Sequence, residues 1–162
     1  MAKLEMRGMD EYVKKLQDLG RSSTGTIKQA VYVGAGIVAA EIDAAIDQIP
    51  DNNGKFVPAE LPIVGLSPAQ KKGLHEGLGL AKMQDDDGFI NTKVGFDGYN
   101  GVTTKKFPKG QPNALIARAV ESGTSRRPKY RFVAKAISKA RKKAEEAMAA
   151  EMDKVIKNIM EE

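Results

Sequence analysis

The chain has no cysteine, no tryptophan and a single histidine among its 162 residues. Without cysteine there is no disulfide, no thiolate metal site and no cysteine nucleophile. One histidine excludes a histidine-rich metal site and a coupled histidine pair. Aromatic residues make up only 6% of the chain, so a core must be built mainly from Ala, Val, Ile, Leu and Met. This inventory predicts a protein that is not an enzyme and has no metal and no cofactor.

Long apolar runs are also missing from the sequence. No run approaches the roughly 20 residues that a membrane span requires. Met1–Met6 has no apolar stretch of the kind that signal peptides carry. We therefore expect a protein that stays in a reducing cytoplasm and has no membrane partner. A length of 162 residues predicts one domain over residues 1–162.

Acidic residues are almost absent from one part of the chain. Gly101 to Lys143 contains 13 basic residues and one acidic residue, whereas the tail from Ala144 has six acidic and two basic residues. Such a basic segment attracts phosphate or an acidic protein surface. The alternative is a solvated face whose positive charges are compensated by the acidic tail or by a neighbouring subunit. The basic segment and the acidic tail could then face each other across a ring-closing interface. The candidate interface residues are Lys105, Lys106, Lys109, Arg126, Arg127, Lys129, Arg131, Arg141, Lys142 and Lys143.

Hydrophobic periodicity predicts the elements of the first third of the chain. Leu4–Arg7 alternates weakly, which predicts a short strand. Glu11–Leu19 has an apolar helical face, and the glycine that follows is a stop signal. The loop Arg21–Thr24 then offers N-caps for a long second helix that ends at Ile49.

Turn and cap signals organise the middle of the chain. Ser67–Gln70 has the residues of a capping box with proline at the first helical position, which predicts a short helix. Leu78–Gln84 and Phe89–Phe96 read as the two strands of a hairpin, and Asp85–Gly88 supplies the turn.

The last third predicts two more helices. Asn113 can cap a short helix that closes at Gly123. From Arg131 onward there is no glycine or proline, and an apolar stripe continues for about 30 residues. We expect this helix to be too long for its own subunit to cover, so that part of it meets a partner. The predicted fold is α+β, a small antiparallel sheet with a long packing helix and a long C-terminal helix, and flexible loops at about 51–66 and 98–112.

Three motifs suggest chemistry, and each has a simpler interpretation. Gly34–Ala39 fits G-x-G-x-x-A, but the apolar stripe passes through it unchanged, which favours helix packing over a dinucleotide site. Asp85–Gly88 lacks the alternating carboxylates of a calcium loop and favours a turn. His75 lies beside Glu76 without a convincing partner for acid–base chemistry.

Six stretches, in order along the chain, resemble motifs of one family: Gly8–Leu16, Ile49–Pro50, Gly77–Leu80, Lys93–Gly95, Ala117–Thr124 and Arg127–Ala136. The most specific, Ala117–Thr124, is similar to the pattern Y-A-x-x-x-E-x-G-T. The family is that of small phage head–tail joining, or tail-completion, proteins, the gene-product-ten-like proteins of lambdoid phages. The family-motif positions are Glu121, Gly123, Thr124 and Phe132.

The resemblance implies an α+β subunit that assembles into a ring, often a hexamer, in the neck of a phage tail. Such a ring joins the tail tube to the portal and head-closure proteins and leaves a passage for phage DNA. It implies a protein of the virion, present in the host cytoplasm during assembly. Two alternatives stay open: a tail terminator or minor tail protein of the same phage module, and a DNA-binding protein that uses the basic segment.

Overall fold

A computed structural model describes residues 9–52, 57–58 and 60–161 of the chain. In that part of the chain there are four α-helices and four short β-strands, which confirms the predicted α+β class. The predicted strand Leu4–Arg7 lies outside the described residues, as does part of the predicted loop 51–66.

Helix α1 (Met9–Asp47) is one continuous helix of 39 residues, about 58 Å long at 1.5 Å per residue. The predicted stop at Gly20 and the predicted loop Arg21–Thr24 are therefore wrong. Ser23 does not cap a new helix, because its hydroxyl donates to the carbonyl of Gly20 at 2.8 Å. The helix packs on a second helix on both sides of this stretch, which offsets the cost of about 1 kcal/mol that each helical glycine carries.

Helix α4 (Phe132–Glu161) confirms the predicted long C-terminal helix, and it lies antiparallel along α1. Lys15 Nζ donates to the carbonyl of Met160 at 3.0 Å near one end, and Lys139 pairs with Glu41 toward the other. Helix α1 packs along α4 and covers part of its apolar stripe. That the rest of the stripe meets a partner stays a prediction. The fully buried positions of this stripe include Ala136, Ala140 and Ala144.

The two glycines of the G-x-G pattern lie inside α1, which confirms the helix-packing interpretation. A Cβ added at Gly34 would lie 2.5 Å from Sδ of Met148 on α4, whereas no described residue lies within 4 Å of a Cβ added at Gly36. The absence of a side chain at Gly34 therefore lets the two helices approach closely.

Part of α1 has the composition of a membrane span. Ser23–Asp47 is long enough, and its most apolar window has a mean hydropathy of 1.4. By this measure the expectation that no apolar stretch approaches that length is wrong. The inner face of the same segment is packed within the chain, with Ala30, Ile42, Ala45 and Ile46 buried. Core helices pass the same test of length and composition.

Four short strands form two antiparallel pairs, β1 (Leu78–Leu80) with β4 (Val94–Phe96) and β2 (Gln84–Asp86) with β3 (Phe89–Asn91). The N–H of Ala81 donates to the carbonyl of Lys93 at 2.8 Å between the two pairs, so that they form the base and the tip of one hairpin. The turn has two residues, Asp87 and Gly88, with φ of 54° and 90°. The predicted hairpin is confirmed, with a turn shorter than predicted.

Helix α2 (Pro68–Gly77) begins at the predicted capping box. The hydroxyl of Ser67 accepts from the N–H of Gln70 at 3.3 Å, and the Gln70 side chain accepts from the N–H of Ser67 at 3.1 Å. This reciprocal pair satisfies two backbone donors that a helix start otherwise leaves free.

Helix α3 (Asn113–Ser122) ends, as predicted, at Gly123. The predicted cap at Asn113 is wrong, because Pro112 is the N-cap residue and no side chain in the described part of the chain caps the helix. Asn113 is buried instead, and its side-chain amide donates to the carbonyl of Asp97 at 2.8 Å. Its polar group therefore holds the start of α3 against the end of β4.

The predicted flexible loop 98–112 is closed at its base by hydrogen bonds. The N–H of Asn100 donates to the carbonyl of Gln111 at 2.9 Å, and Thr104 and Phe107 form a turn within the loop. That this loop is flexible stays a prediction.

The main core lies where the helices meet the β1–β4 pair. Phe132, at the start of α4, is 1% exposed, and its ring centroid lies 6.0 Å from that of Phe96 on β4. The other large buried side chains of this cluster are Ile42, Ile46, Ile49, Leu66, Leu74, Ile116 and Val120. The core is therefore mainly aliphatic, as the composition predicts.

Candidate assembly surfaces

The family-motif residues build the connection between α3 and α4. The carboxylate of Glu121 on α3 accepts from the N–H groups of Val133 at 2.9 Å and Ala134 at 3.2 Å, the first turn of α4. A helix start carries unpaired donors and a partial positive charge, so a carboxylate there stabilises it. Glu121 thus caps α4 from a neighbouring helix.

Gly123 and Thr124 shape the turn that follows α3. Gly123 has φ of +76° and ψ of 171°, a region open essentially to glycine alone. The hydroxyl of Thr124 accepts from the N–H of Arg127 at 3.1 Å. Together with the buried Phe132, these motif positions fix the chain path between α3 and α4.

Two of the ten candidate basic residues bind the chain's own backbone. One Nη of Arg126 donates to the carbonyls of Val57 at 3.3 Å and Pro58 at 2.7 Å. Arg127 donates to the carbonyl of Gly65, and burial lowers the pKa of its guanidinium. These arginines hold the segment between α1 and α2 in place and are not a free surface for phosphate.

The other eight candidate basic residues are exposed, but they lie on separate elements. Lys105, Lys106 and Lys109 belong to the loop 98–112, and Lys129 and Arg131 lie in the α3–α4 connection. The last three form the α4 triplet, Arg141–Lys143. Within the triplet, Lys142 lies 3.8 Å from Glu146 one turn on, an exposed pair of a type that contributes little stability. Of the ten candidate basic residues, Arg126 and Arg127 therefore have a structural role, and the other eight are exposed in three separate places.

His75 has two partners that the sequence does not reveal. Its Nδ1 lies 2.6 Å from Oδ1 of Asp43, and its Nε2 lies 3.1 Å from Oδ1 of Asp47, both on α1. Burial lowers the pKa of His75, but the hydrogen bonds and charges of the two aspartates together raise it above its ordinary value. The expectation that His75 lacks a partner is therefore wrong, and the histidine ties α2 to α1.

His75 and its two aspartates do not form a metal site. Among the described residues, no group of three or more His, Asp or Glu side chains could hold a metal ion. Glu76, the sequence neighbour of His75, lies instead 3.7 Å from Lys72 on the solvent side of α2. The histidine cluster is therefore best described as a contact between two helices.

The N-terminal part of α1 and the C-terminal part of α4 form a pair of helices that we call the helical arm, residues 9–29 and 148–161. The side-chain amide of Gln29 donates to the carboxylate of Glu151 at 3.1 Å across this pair. Large apolar side chains are nevertheless exposed on the arm, namely Tyr12 (51%), Val13 (43%), Leu16 (45%) and Ile156 (38%). The first three continue the apolar helical face of α1 and have no full cover within the described chain.

The tip of the hairpin carries an exposed aromatic ring among acidic residues. Phe89 is 79% exposed, more than any other large hydrophobic side chain of the described residues. Asp85, Asp86 and Asp87 precede it, separated from it by Gly88, and are also exposed. Of these, Asp85 accepts from the N–H of Gly88 at 2.9 Å, which supports the turn.

An apolar groove of about 200 Å³ opens between the hairpin base and helices α1, α3 and α4. Its apolar walls are Ile42, Leu78, Val94, Phe96, Ala117 and Val133. Two charged residues also line it, Arg118 and Glu121. The Glu121 carboxylate already caps α4, whereas the Arg118 side chain is exposed. The groove is thus apolar at its walls with a free cation at its rim.

Comparison with protein-family models, with curated proteins and with solved structures finds no match to this chain.

Proposed function

We propose that this chain is a structural subunit of a phage virion, a head–tail connector or tail-completion protein that assembles into a ring. The observation that carries the proposal is the helical arm, whose exposed Tyr12, Val13 and Leu16 lie together on one face of α1. Large apolar side chains grouped in this way mark surfaces that proteins bury against partners. The ordered family resemblance gives that partner a class, namely further copies of the chain and proteins of the tail tube and head connector.

The structural role of the family-motif residues supports this proposal. Glu121, Gly123 and Thr124 serve the junction of α3 and α4, which positions the long helix of the arm. In a protein that works by adhesion, residues that fix the path of the chain are as important as residues that touch a partner. The function of this chain is then mechanical, without catalytic turnover.

The test is to inactivate the gene in a phage that carries it and to view the products by electron microscopy. The connector proposal expects DNA-filled heads and complete tails that stay apart, with joining restored when the intact gene is supplied in trans. Tails of irregular length would favour the tail-terminator alternative. Normal infectious virions would refute both structural roles.

DNA binding by the basic segment is the second candidate function, and the exposed α4 triplet is the observation that favours it. It is the weaker candidate because Arg126 and Arg127 are engaged with backbone carbonyls. Salt titration decides the matter, because the slope of log K against log[salt] is about −0.9 for each phosphate neutralised. A slope near zero, or no DNA binding, would refute this candidate.

A further inference from the structure

The tip of the hairpin and the apolar groove have matching properties. The tip presents the ring of Phe89 with three exposed aspartates before it. The groove presents apolar walls with the exposed Arg118 at its rim. An aromatic ring with negative charges on one surface thus corresponds to an apolar recess with a positive charge on another.

The size of the groove suits a phenyl ring. An apolar protein cavity of about 150 Å³ is large enough to bind benzene, and this groove measures about 200 Å³. The chain cannot fill the groove with its own Phe89 while the hairpin is intact. Val94, which lines the groove, follows Phe89 by five positions on the same side of the hairpin. The pairing of β2 with β3 and of β1 with β4 keeps the tip of the hairpin apart from its base.

We propose that Phe89 of one copy inserts into this groove on a second copy, with the aspartates of the tip facing Arg118. The two surfaces differ, so the contact is head-to-tail, of the kind that closes into rings or extends into filaments. The inference rests on the proposed ring-forming function and names a contact between its subunits.

Sedimentation velocity over a concentration series up to about 100 µM tests the contact, since an interface with a dissociation constant near 1 µM saturates well below that level. The Phe89→Ala variant should raise the dissociation constant at least about 30-fold, as loss of a central aromatic anchor does. Tyr99→Ala is the matched control, because it removes an aromatic ring that is 65% exposed in the loop 98–112. The control should change the constant less than about 3-fold.

A mixing experiment tests the head-to-tail geometry. Arg118→Glu should damage the groove side by repelling the aspartates, while Phe89→Ala damages only the tip. Each variant alone should be mainly monomeric at about 10 µM, but the mixture should form a one-to-one dimer that does not grow, since one intact tip and one intact groove remain. Circular dichroism checks that both variants are folded, as expected for two exposed side chains.

The outcomes separate this contact from the proposed function. If the wild-type chain associates and Phe89→Ala associates equally well, or if the mixture stays monomeric, the Phe89 contact is refuted while the connector proposal stands. A wild-type chain that stays monomeric at about 100 µM also refutes the contact. The connector proposal itself is decided by the gene inactivation experiment, in which the joining of heads to tails is observed directly.

Discussion

Replacing Glu121 by alanine should destabilise the protein, because it removes the cap that α3 supplies to α4. The carboxylate accepts two backbone hydrogen bonds, from Val133 and Ala134, at the start of a 30-residue helix. Loss of a side-chain cap costs about 0.5–2 kcal/mol, and loss of a negative charge at a helix start adds about 0.3–1 kcal/mol. We therefore expect the free energy of unfolding to fall by about 1–3 kcal/mol.

The measurement is urea unfolding followed by circular dichroism. Glu121→Gln keeps one acceptor oxygen without the charge, so its loss should lie between those of wild type and Glu121→Ala. Glu146→Ala is the matched control, because it removes an exposed carboxylate from α4, the helix that Glu121 caps, and this carboxylate lies 3.8 Å from Lys142. We expect that control to stay within about 0.5 kcal/mol of wild type. If Glu121→Ala is no more destabilising than the control, the capping role of the motif is wrong.

Three further predictions concern other parts of the molecule. The pKa of His75 is raised in the folded state, so its contribution to stability should be full below a pH of about 6.5 and lost as the pH rises through the raised pKa. The melting temperature of His75→Gln should therefore depend less on pH than that of wild type. An unchanged pH dependence of the melting temperature would contradict this. Gly36→Ala should raise the free energy of unfolding by up to about 1 kcal/mol, whereas Gly34→Ala should raise it less because Met148 must move. Equal increases in urea unfolding would show that the close approach of α1 and α4 at Gly34 is unimportant. Replacing all three residues of the α4 triplet by glutamate should reduce the oligomer size measured by light scattering, while exchanging Lys and Arg within the triplet should not. An unchanged oligomer size after the charge reversal would contradict a charged interface at the triplet.

Much of the fold could be predicted because its signals are local. The capping box at Ser67–Gln70 and the turn at Asp87–Gly88 each need only a few adjacent residues to act. The apolar stripe of α4 similarly repeats over one uninterrupted segment. Where sequence neighbours alone decide the conformation, pattern and structure agree.

Contacts distant in sequence account for the main errors. Gly20 is a local stop signal and the serines after it are candidate N-caps, but α1 continues through them because it packs on α4, whose residues come more than 100 positions later. The same applies to His75, whose partners Asp43 and Asp47 lie 32 and 28 residues earlier in the chain. Nothing in the spacing of these residues indicates that α2 folds back onto this part of α1.

The candidate interface was harder to predict than the fold. Counting charge places Arg126 and Arg127 in one basic segment with the α4 triplet, yet both donate to carbonyls of the segment between α1 and α2. Composition records the charge of a guanidinium and says nothing about which acceptors surround it. Phe89, by contrast, has the pattern of an ordinary strand residue in the sequence, and only the tertiary structure shows that its ring is exposed among the described residues.

The unbroken course of α1 has a mechanical consequence. One helix reaches from Leu16 on the arm to Ile46 in the centre of the core, with no loop between them. A flexible joint would absorb a displacement imposed at the far end, whereas a continuous rod transmits it along its axis. A force applied to the helical arm would therefore be transmitted along α1 to Asp43 and Asp47, and through their contacts with His75 to α2.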